Sequence, residues 1–506
     1  MDLATLQNGS DIRGIAITNE TETANLTPAA VAEIGKGLVA WLRQMDETGY
    51  QQGKLKVGIG YDSRLSGPAL KEALMNSLLS QGIDVIDFAM ATTPAMFMAT
   101  QFPQFDCDAS IMLTASHLPY YFNGIKIFSR KGGAEKADIK YILTHLTENT
   151  NGQTGAVSNA DLITPYAADL VTKIRKGMQT TAEKPLAGLK IIVDAGNGAG
   201  GYFAEQVLAV LGADTTGSQF LEPDGHFPNH IPNPDNKEAM ASIQAAVLAT
   251  GADLGVIFDT DVDRSAIVAK NGEAINRNNL IAVLSSITLA EHPGTRIVTN
   301  SPTTNHLKAF IEAKGGIQVR YISGYRNVIN KAIALNEAGL DCQLAIETSG
   351  HAAFKENYFL DDGAYVIAKI LMLLPQLQKE GRSIDEIIRE LKQPVETIEF
   401  RFKLAGTDYR PLGEKVIAEL PAYLVDKPGF SFDPENEEGV RYTVDTPYGS
   451  GWFLLRMSLH EPLLVLQVEN DSAGNNRKVL AALAEHFTSY AAAGVDAKNL
   501  VAYLAE

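Results

Sequence analysis

Apolar and polar positions along this chain repeat in one order. A short run rich in Ile and Val ends in a polar or glycine-rich loop, and a segment with apolar residues at three-to-four spacing follows. The stretches Lys56–Gly82, Leu189–Gly212 and Thr295–Gly315 all read this way. Such a switch of period predicts a strand followed by a helix, and repeated strand–helix units predict α/β domains with mostly parallel sheets. Three units at separate positions predict three similar α/β domains. The C-terminal part differs. "ETIEFRFKL", "FSFDPENEEGVRYTVDTPYGSGWFLLRMSL" and "PLLVLQVEN" place several strands close together, before the helix-like "NRKVLAALAEHFTSYAAAG". That predicts a smaller α+β domain with antiparallel pairing. The expected domains are 1–157, 158–273, 274–394 and 395–506.

Ligands of open α/β sheets bind beyond the carboxyl ends of the strands, so the polar strand ends are where chemistry is expected. The apolar run Ala109–Leu113 leads into "TASHLPYYFNGIK", which closes on an Asn-Gly turn signal and Lys126. Ser116 in that stretch could cap a helix, act as a hydrolase nucleophile or carry a phosphate. In "LGVIFDTDVDRSAIV", Asp259, Asp261 and Asp263 follow another apolar run. Extended backbone would put all three on one face. Three carboxylates on one face repel unless a cation sits among them, and oxygen-only ligands suit Mg2+ or Ca2+. An EF-hand fits poorly, because Arg264 and Lys270 stand where its Gly and Glu belong. Arg264 reads instead as a phosphate clamp.

Weaker signals sit at other strand ends. "IETSGHAAF" places Glu347, Ser349 and His351 close together, donors and acceptors suited to a polyol such as a sugar. "FLLRMSLHEPLLVL" offers Arg456, Ser458 and His460 between two strands, a plausible phosphate cradle. Arg13 in "SDIRG" and Arg326 in "SGYRN" are further basic candidates. In "DAGNGAGG", Gly196, Gly198 and Gly201 match the dinucleotide fingerprint and support a rival reading, an NAD-dependent oxidoreductase. No acidic residue ends a following strand at the distance that fingerprint wants, and the glycines can equally serve a tight strand-to-helix turn.

Composition narrows the class. The 506 residues carry a formal net charge of -17 and include 45% hydrophobic and 20% charged residues. An acidic chain of this kind is not a nucleic-acid coat, which needs clustered Lys and Arg. Cys107 and Cys342 are its only cysteines and both border apolar runs. They read as buried thiols in a reducing compartment, with no disulfide framework and no cysteine metal site. No apolar stretch is long enough to span a membrane, and the start has no secretory pattern. The expectation is a cytoplasmic enzyme or binding protein with small phosphorylated ligands as partners and neither nucleic acid nor membrane. A serine hydrolase would want G-x-S-x-G, but Ser116 stands in "TASHL". A P-loop G-x-x-x-x-G-K-[ST] is also absent, so ATP is not the obvious phosphoryl donor. One serine, three clustered aspartates, a polyol-like loop and several arginines describe phosphoryl transfer through a serine.

These residues together resemble the α-D-phosphohexomutase superfamily, and within it the phosphomannomutase/phosphoglucomutase group. "SDIRG" resembles its YDIRG start, and "TASHLPYYFNGIK" its phosphoserine loop T-A-S-H-N-P-x-x-x-N-G-x-K. "DTDVDR" resembles its metal loop D-G-D-x-D-R, "PDGHFPNHIPNP" a segment of its second domain, and "ETSGH" its sugar loop G-E-M-S-G-H. "RMSLHEP" sits where the family has R-P-S-G-T-E-P. Leu118, Thr260, Ile346, Leu459 and His460 depart from those patterns. The resemblance implies four domains around a central cleft, three α/β with mixed sheets and a smaller fourth. It implies transfer of phosphate between C1 and C6 of a hexose through phosphorylated Ser116 and a hexose 1,6-bisphosphate. Mg2+ would be held by Ser116, Asp259, Asp261 and Asp263. Arg264 and His117 would assist at the phosphate, and Lys126 and Arg13 would serve acid/base or leaving-group roles. Gly324, Tyr325, Arg326, Glu347, Ser349, His351, Arg456, Ser458 and His460 would bind the sugar phosphate. Mannose or glucose is expected; the alternatives are a phosphoglucosamine mutase and a non-catalytic sugar-phosphate-binding homologue.

Overall fold

The structure is a computed structural model that describes residues 2–459 and 461–506. The chain divides into two compact units. One holds the residues up to Ile287 together with Ser349–Ile387, and the other holds Thr288–Thr348 with Ile388–Glu506.

The first unit contains two whole sheets and the antiparallel pair Ala352–Phe354 and Leu360–Asp361. The larger runs, edge to edge, through Gln7–Asn8, Asp11–Ile15, Phe122–Ser129, Ala109–Leu113, Lys56–Tyr61, Asp84–Met90 and Val157–Asn159. Ala109–Leu113, Lys56–Tyr61, Asp84–Met90 and Val157–Asn159 pair in parallel, as strand–helix alternation requires. Phe122–Ser129 runs antiparallel to Ala109–Leu113, because the short loop after Leu113 reverses the chain with no helix to carry it across. The sheet is therefore mixed rather than mostly parallel. Its strands bury Ile12, Val57, Ile59, Ile111, Leu113, Ile125 and Ile127 against the helices Pro28–Met45 and Gly67–Ser80. Each such side chain contributes about 1.5–3 kcal/mol on burial. Thr27 caps the first of these helices by accepting from the Ala30 amide, with Pro28 at its first turn.

The second sheet has the order Ala274–Ile275, Ser265–Ala269, Leu254–Phe258, Ile191–Asp194. Only the last pair is parallel. The segment after Ile191–Asp194 is helical, but Phe203–Leu208 is a π-helix, wound wider than an α-helix, rather than the regular amphipathic helix that its spacing suggests.

In the second unit, Ile317–Tyr321, Arg296–Asn300 and Cys342–Ile346 form a parallel set. A separate antiparallel sheet joins Phe430–Phe432, Val440–Val444, Gly451–Met457, Leu463–Asn470, Glu396–Leu404 and Val495–Asp496, flanked by the helices Arg410–Leu424 and Asn475–Ser489. This is the strand-rich C-terminal domain that the sequence pattern predicts. Both cysteines are buried, and burial pushes the Cys107 thiol up to about 12. Among the described residues no helix is long and apolar enough to cross a membrane.

Candidate active site

The strand Ala109–Leu113 is buried along its whole length and ends at Thr114. Two residues on, Ser116 takes a left-handed backbone with φ 52°. That conformation costs a non-glycine residue roughly 1–2 kcal/mol, so surrounding bonds must hold it. The Ser116 amide donates to Thr114 Oγ1 at 2.9 Å. The loop then returns into Phe122–Ser129. Asn123 and Gly124 lie inside that strand and not in a turn. Gly124 is there for space: a Cβ would come within 2.5 Å of the Ile12 carbonyl oxygen and 2.6 Å of that of Thr114. Asn123 donates to Ser66 Oγ at 2.8 Å.

The aspartates occupy the reversal between Leu254–Phe258 and Ser265–Ala269, an antiparallel pair. They do not share an extended face. Val262 is left-handed at φ 67°, and the Asp259 amide bonds back to the Arg264 carbonyl at 3.2 Å. The carboxylates converge because the loop folds over. One oxygen from each of Asp259, Asp261 and Asp263 lies within 4.8 Å of the others, and all three residues are fully buried. Among the described residues, Asp261 Oδ1 and Asp263 Oδ1 have no hydrogen-bond donor. Burial, reinforced by the Asp263 carboxylate, pushes Asp259 well up. Burial opposes ionisation of Asp263 as well, but Lys126, His351 and Arg264 outweigh it and hold that carboxyl below the ordinary range. Buried oxygens lacking donors, in a cluster whose mutual repulsion disfavours full ionisation, fit a hard divalent cation such as Mg2+.

Ser116 Oγ meets this cluster directly. It donates to Asp259 Oδ2 at 3.1 Å and accepts from Arg264 Nη2 at 2.8 Å. Arg264 Nε donates to the same Asp259 oxygen at 3.0 Å. Arg264 Nη2 is also 2.6 Å from His117 Nδ1, which must therefore accept. Burial, with Arg264 and Arg13 nearby, pushes His117 well down, which agrees with a neutral ring. Lys126 is buried, paired with Asp263 and 3.8 Å from Asp261 Oδ2. Thr93 donates to Asp261 from the first turn of the short helix Thr93–Met98, which the sequence did not single out. Arg13 bonds Asp11 at 3.0 Å and the Ala115 carbonyl, next to Ser116, at 3.3 Å. His351 bridges to the backbone of Arg264 and sits 2.6 Å from Asp361. Burial works against its protonation, but Asp361 and Asp263 raise it overall.

The sugar-loop candidates divide at the boundary between the units, with Glu347 in the second and Ser349 and His351 in the first. Ser349 Oγ is buried and has no hydrogen-bond partner among the described residues. In the second unit, Glu347 accepts from the Gly324 amide at 2.6 Å. Tyr325 and Arg326 open the helix Tyr325–Glu337, and Arg326 donates to Asn330 at 3.2 Å. Arg456 lies 3.9 Å from Glu438, whose other oxygen accepts from Ser323 at 2.7 Å. Ser458 Oγ accepts from the Glu461 amide at 3.3 Å. His460 lies outside the described residues. The second unit thus gathers the loops of Gly324, Glu347 and Arg456.

The glycine-rich loop has a structural account. Asp194 accepts from the Gly196 amide at 2.9 Å, from Gln219 at 2.7 Å and from His230 at 3.0 Å. The Ala199 amide bonds the Thr260 carbonyl at 2.8 Å, so the loop supports the aspartate turn. Sequence reasoning missed Asp62 and Arg64, which grip the serine loop, and Glu438. The signal for the first two was present, since "YDSR" is itself the polar end of the strand Lys56–Tyr61.

Descriptions of the phosphoglucomutase/phosphomannomutase alpha/beta/alpha domains I, II and III match residues 4–153, 165–272 and 276–395 in turn. A phosphomannomutase/phosphoglucomutase of Pseudomonas putida is 31% identical over 475 residues, spanning 90% of this chain and 96% of that protein. A phosphoglucomutase of Neisseria gonorrhoeae is 30% identical over 472 residues, spanning 91% and 92%. The crystal structure of a phosphoglucomutase/phosphomannomutase family protein from Burkholderia thailandensis superposes with a TM-score of 0.79 at 26% identity, covering 98% of this chain and 99% of that one. Three successive domains matched in order, together with a serine bonded to an aspartate cluster, carry one conclusion: the chain belongs to the phosphoglucomutase/phosphomannomutase family.

Proposed function

We propose that this protein is a phosphohexomutase that interconverts hexose 1-phosphate and hexose 6-phosphate, with Ser116 as the phosphoryl carrier and mannose or glucose as the hexose. The observation that carries the reading is the position of Ser116 Oγ, bonded at once to Asp259 and Arg264 beside three buried carboxylates. Ser116 Oγ also lies 3.3 Å from His117 Nδ1, but that nitrogen already accepts from Arg264 at 2.6 Å, so the ring is engaged by the guanidinium and not free to take the serine proton as the base of an acyl-transfer enzyme would. The names of the Pseudomonas and Neisseria relatives support the choice of sugar. The proposed domains are 1–157, 158–273, 274–394 and 395–506, and the proposed compartment is the cytoplasm, in keeping with two buried cysteines.

Asp259, Asp261 and Asp263, with the phosphate on Ser116, would hold Mg2+, which supplies charge neutralisation for the transferring phosphoryl group. The chain's own residues do the rest. In the first transfer the bond between phosphorus and Ser116 Oγ breaks, and a bond from phosphorus to a sugar hydroxyl oxygen forms. The sugar hydroxyl loses its proton and the serine oxygen ends protonated. Arg264 donates to that oxygen and stabilises charge as it develops. Lys126 and Arg13 are the proposed groups for acid/base or leaving-group work. His117 stays neutral and accepts from Arg264, which fixes the direction of the guanidinium. The hexose 1,6-bisphosphate so formed returns its other phosphate to Ser116. Glu347, Ser349 and His351 are proposed to hold sugar hydroxyls. Gly324, Tyr325, Arg326, Arg456, Ser458 and His460 are proposed to hold the phosphate that is not reacting.

The test is turnover of mannose, glucose and glucosamine 1-phosphates with Mg2+ and a catalytic amount of glucose 1,6-bisphosphate. Turnover of mannose or glucose 1-phosphate supports the reading. Turnover of glucosamine 1-phosphate alone would make the chain a phosphoglucosamine mutase, and binding without turnover would make it a non-catalytic homologue.

A further inference from the structure

We infer that Arg64, with Asp62, is a positioning residue for phosphoryl transfer at Ser116, an inference that rests on the phosphohexomutase reading above. Arg64 is buried with 1% of its surface exposed. Its guanidinium donates to four carbonyls of the serine loop: Ser116, Leu118 at 2.6 Å, Pro119 at 2.8 Å and Phe122 at 3.0 Å. Asp62 faces it, with Oδ2 3.4 Å from Arg64 Nε and Oδ1 accepting from the Arg64 amide at 2.9 Å. Asp62 Oδ2 also accepts from Thr114 Oγ1 at 2.6 Å. Thr114 Oγ1 in turn accepts the Ser116 amide at 2.9 Å.

Ser116 is therefore held on both sides of its Cα. Its amide is tied through Thr114 to Asp62, and its carbonyl is tied to Arg64. Fixing both peptide planes fixes φ and ψ, and with them the direction of the Cα–Cβ bond that carries Oγ toward Asp259. A left-handed serine needs such a hold, because the relaxed backbone would turn Oγ elsewhere. Only a planar fork of donors serves four carbonyls from one point; a lysine ammonium has three donors and no fork.

The clamp also gives a role to "PDGHFPNH", which the catalytic reading leaves unused. The Phe227 ring lies 5.3 Å from the Arg64 guanidinium carbon. Gly225 lies so close to the same turn that a Cβ would meet the Ser63 carbonyl oxygen at 2.4 Å and the Leu65 amide nitrogen at 2.6 Å. The segment closes over the Asp62–Arg64 turn and excludes water from the guanidinium.

The experiment follows Ser116 directly. Wild type is incubated with glucose 1,6-bisphosphate, and the Ser116 peptide is weighed. Single-turnover transfer from phosphorylated Ser116 to glucose 1-phosphate is then timed by rapid quench. If wild type never carries phosphate on Ser116, the mutase reading fails. If it does, Arg64→Lys should slow the transfer by about 10- to 100-fold, as expected for a misplaced reacting group. KM for glucose 1-phosphate should stay unchanged, because the substrate-gripping groups are untouched. Added guanidinium should restore part of the rate to Arg64→Ala. Thr114→Val, which keeps the side-chain shape but cuts the link from Asp62 to the Ser116 amide, gives a second route should the arginine variants fail to fold. It should show the same loss of transfer rate with unchanged KM. Wild-type transfer rates in Arg64→Lys or in Thr114→Val would overturn the inference.

Discussion

Arg264 Nη2 lies 2.8 Å from Ser116 Oγ, across 148 residues of chain. The same guanidinium bonds Asp259 through Nε at 3.0 Å, so one side chain ties the serine to the acid cluster. A lysine would keep the charge but not the fork. Arg264→Lys should lower kcat by about 10²–10³-fold, the usual loss when one donor to a developing oxyanion is removed. Steady-state kinetics with glucose 1-phosphate check this, and an unchanged kcat would mean that the contact is only structural.

Ser116→Ala should abolish mutase turnover while leaving the fold intact, because the side chain gives only Oγ to the site. The wild-type protein should gain one phosphate on the Ser116 peptide after incubation with glucose 1,6-bisphosphate. Peptide mass spectrometry reads the result. A phosphate found on another residue would move the carrier elsewhere.

The metal prediction rests on Asp261. One of its oxygens accepts from Thr93, and the other has no donor among the described residues. Asp261→Asn keeps the size and removes one of three charges. The Mg2+ concentration for half-maximal activity should rise at least about tenfold, equivalent to about 1.4 kcal/mol. Chelation should stop wild-type turnover, and added Mg2+ should restore it. Activity that survives a full chelator titration would count against the site.

Much of this site was readable because its chemistry is dense and local. Ser116 with His117, and Asp259, Asp261 and Asp263 with Arg264, stand in short stretches directly after buried strands, and the structure brings them together. The geometry of the aspartates was not readable. An i, i+2, i+4 spacing suggests one face of a strand, but the chain turns at Val262 and convergence comes from the reversal. Asn123-Gly124 looked like a turn for a similar reason, since the same dipeptide serves close packing when another strand passes over the glycine. Arg64 was hidden because its partners are backbone carbonyls, which every residue supplies, so nothing in the side-chain pattern points to them. Glu438 was hidden because it lies in the bend before Val440–Val444 while its partner Arg456 stands on Gly451–Met457, and the pairing of those two strands decides that contact.

Arg456 is the proposed anchor for the phosphate remote from Ser116. Its Nη1 lies 3.2 Å from the Met457 carbonyl, and its buried Nε has no hydrogen-bond partner among the described residues. Charge-assisted hydrogen bonds are worth roughly 1.5–3 kcal/mol each. Arg456→Ala should therefore raise KM by about one to two decades. Kinetics with both phosphate isomers test it, since a mutase must grip either end of the hexose. Unchanged constants for both isomers would leave the loop a simple β-turn connection.

His230 offers a pH test away from the chemistry. Its Nε2 lies 3.0 Å from both oxygens of Asp194, and its Nδ1 lies 3.0 Å from the Ile231 carbonyl. Both ring nitrogens face acceptors, an arrangement that favours the doubly protonated ring. Burial alone would push its pKa down, but the Asp194 carboxylate and the Ile231 carbonyl outweigh burial and raise it. The folded chain thus holds this proton more tightly than the unfolded chain, whose histidine titrates near 6.5. Its stabilising contribution is fully present below about pH 6.5 and is lost as the pH rises through the raised folded value. Wild-type apparent Tm should fall across that alkaline window. His230→Gln keeps a donor for Asp194 but cannot be charged, so it should cost about 1.5–3 kcal/mol at pH 6 and flatten the decline. Thermal unfolding of both proteins at a series of pH values makes the comparison. If the two curves stay parallel from pH 6 to pH 9, the ring is neutral in the folded protein and the imidazolium assignment is wrong.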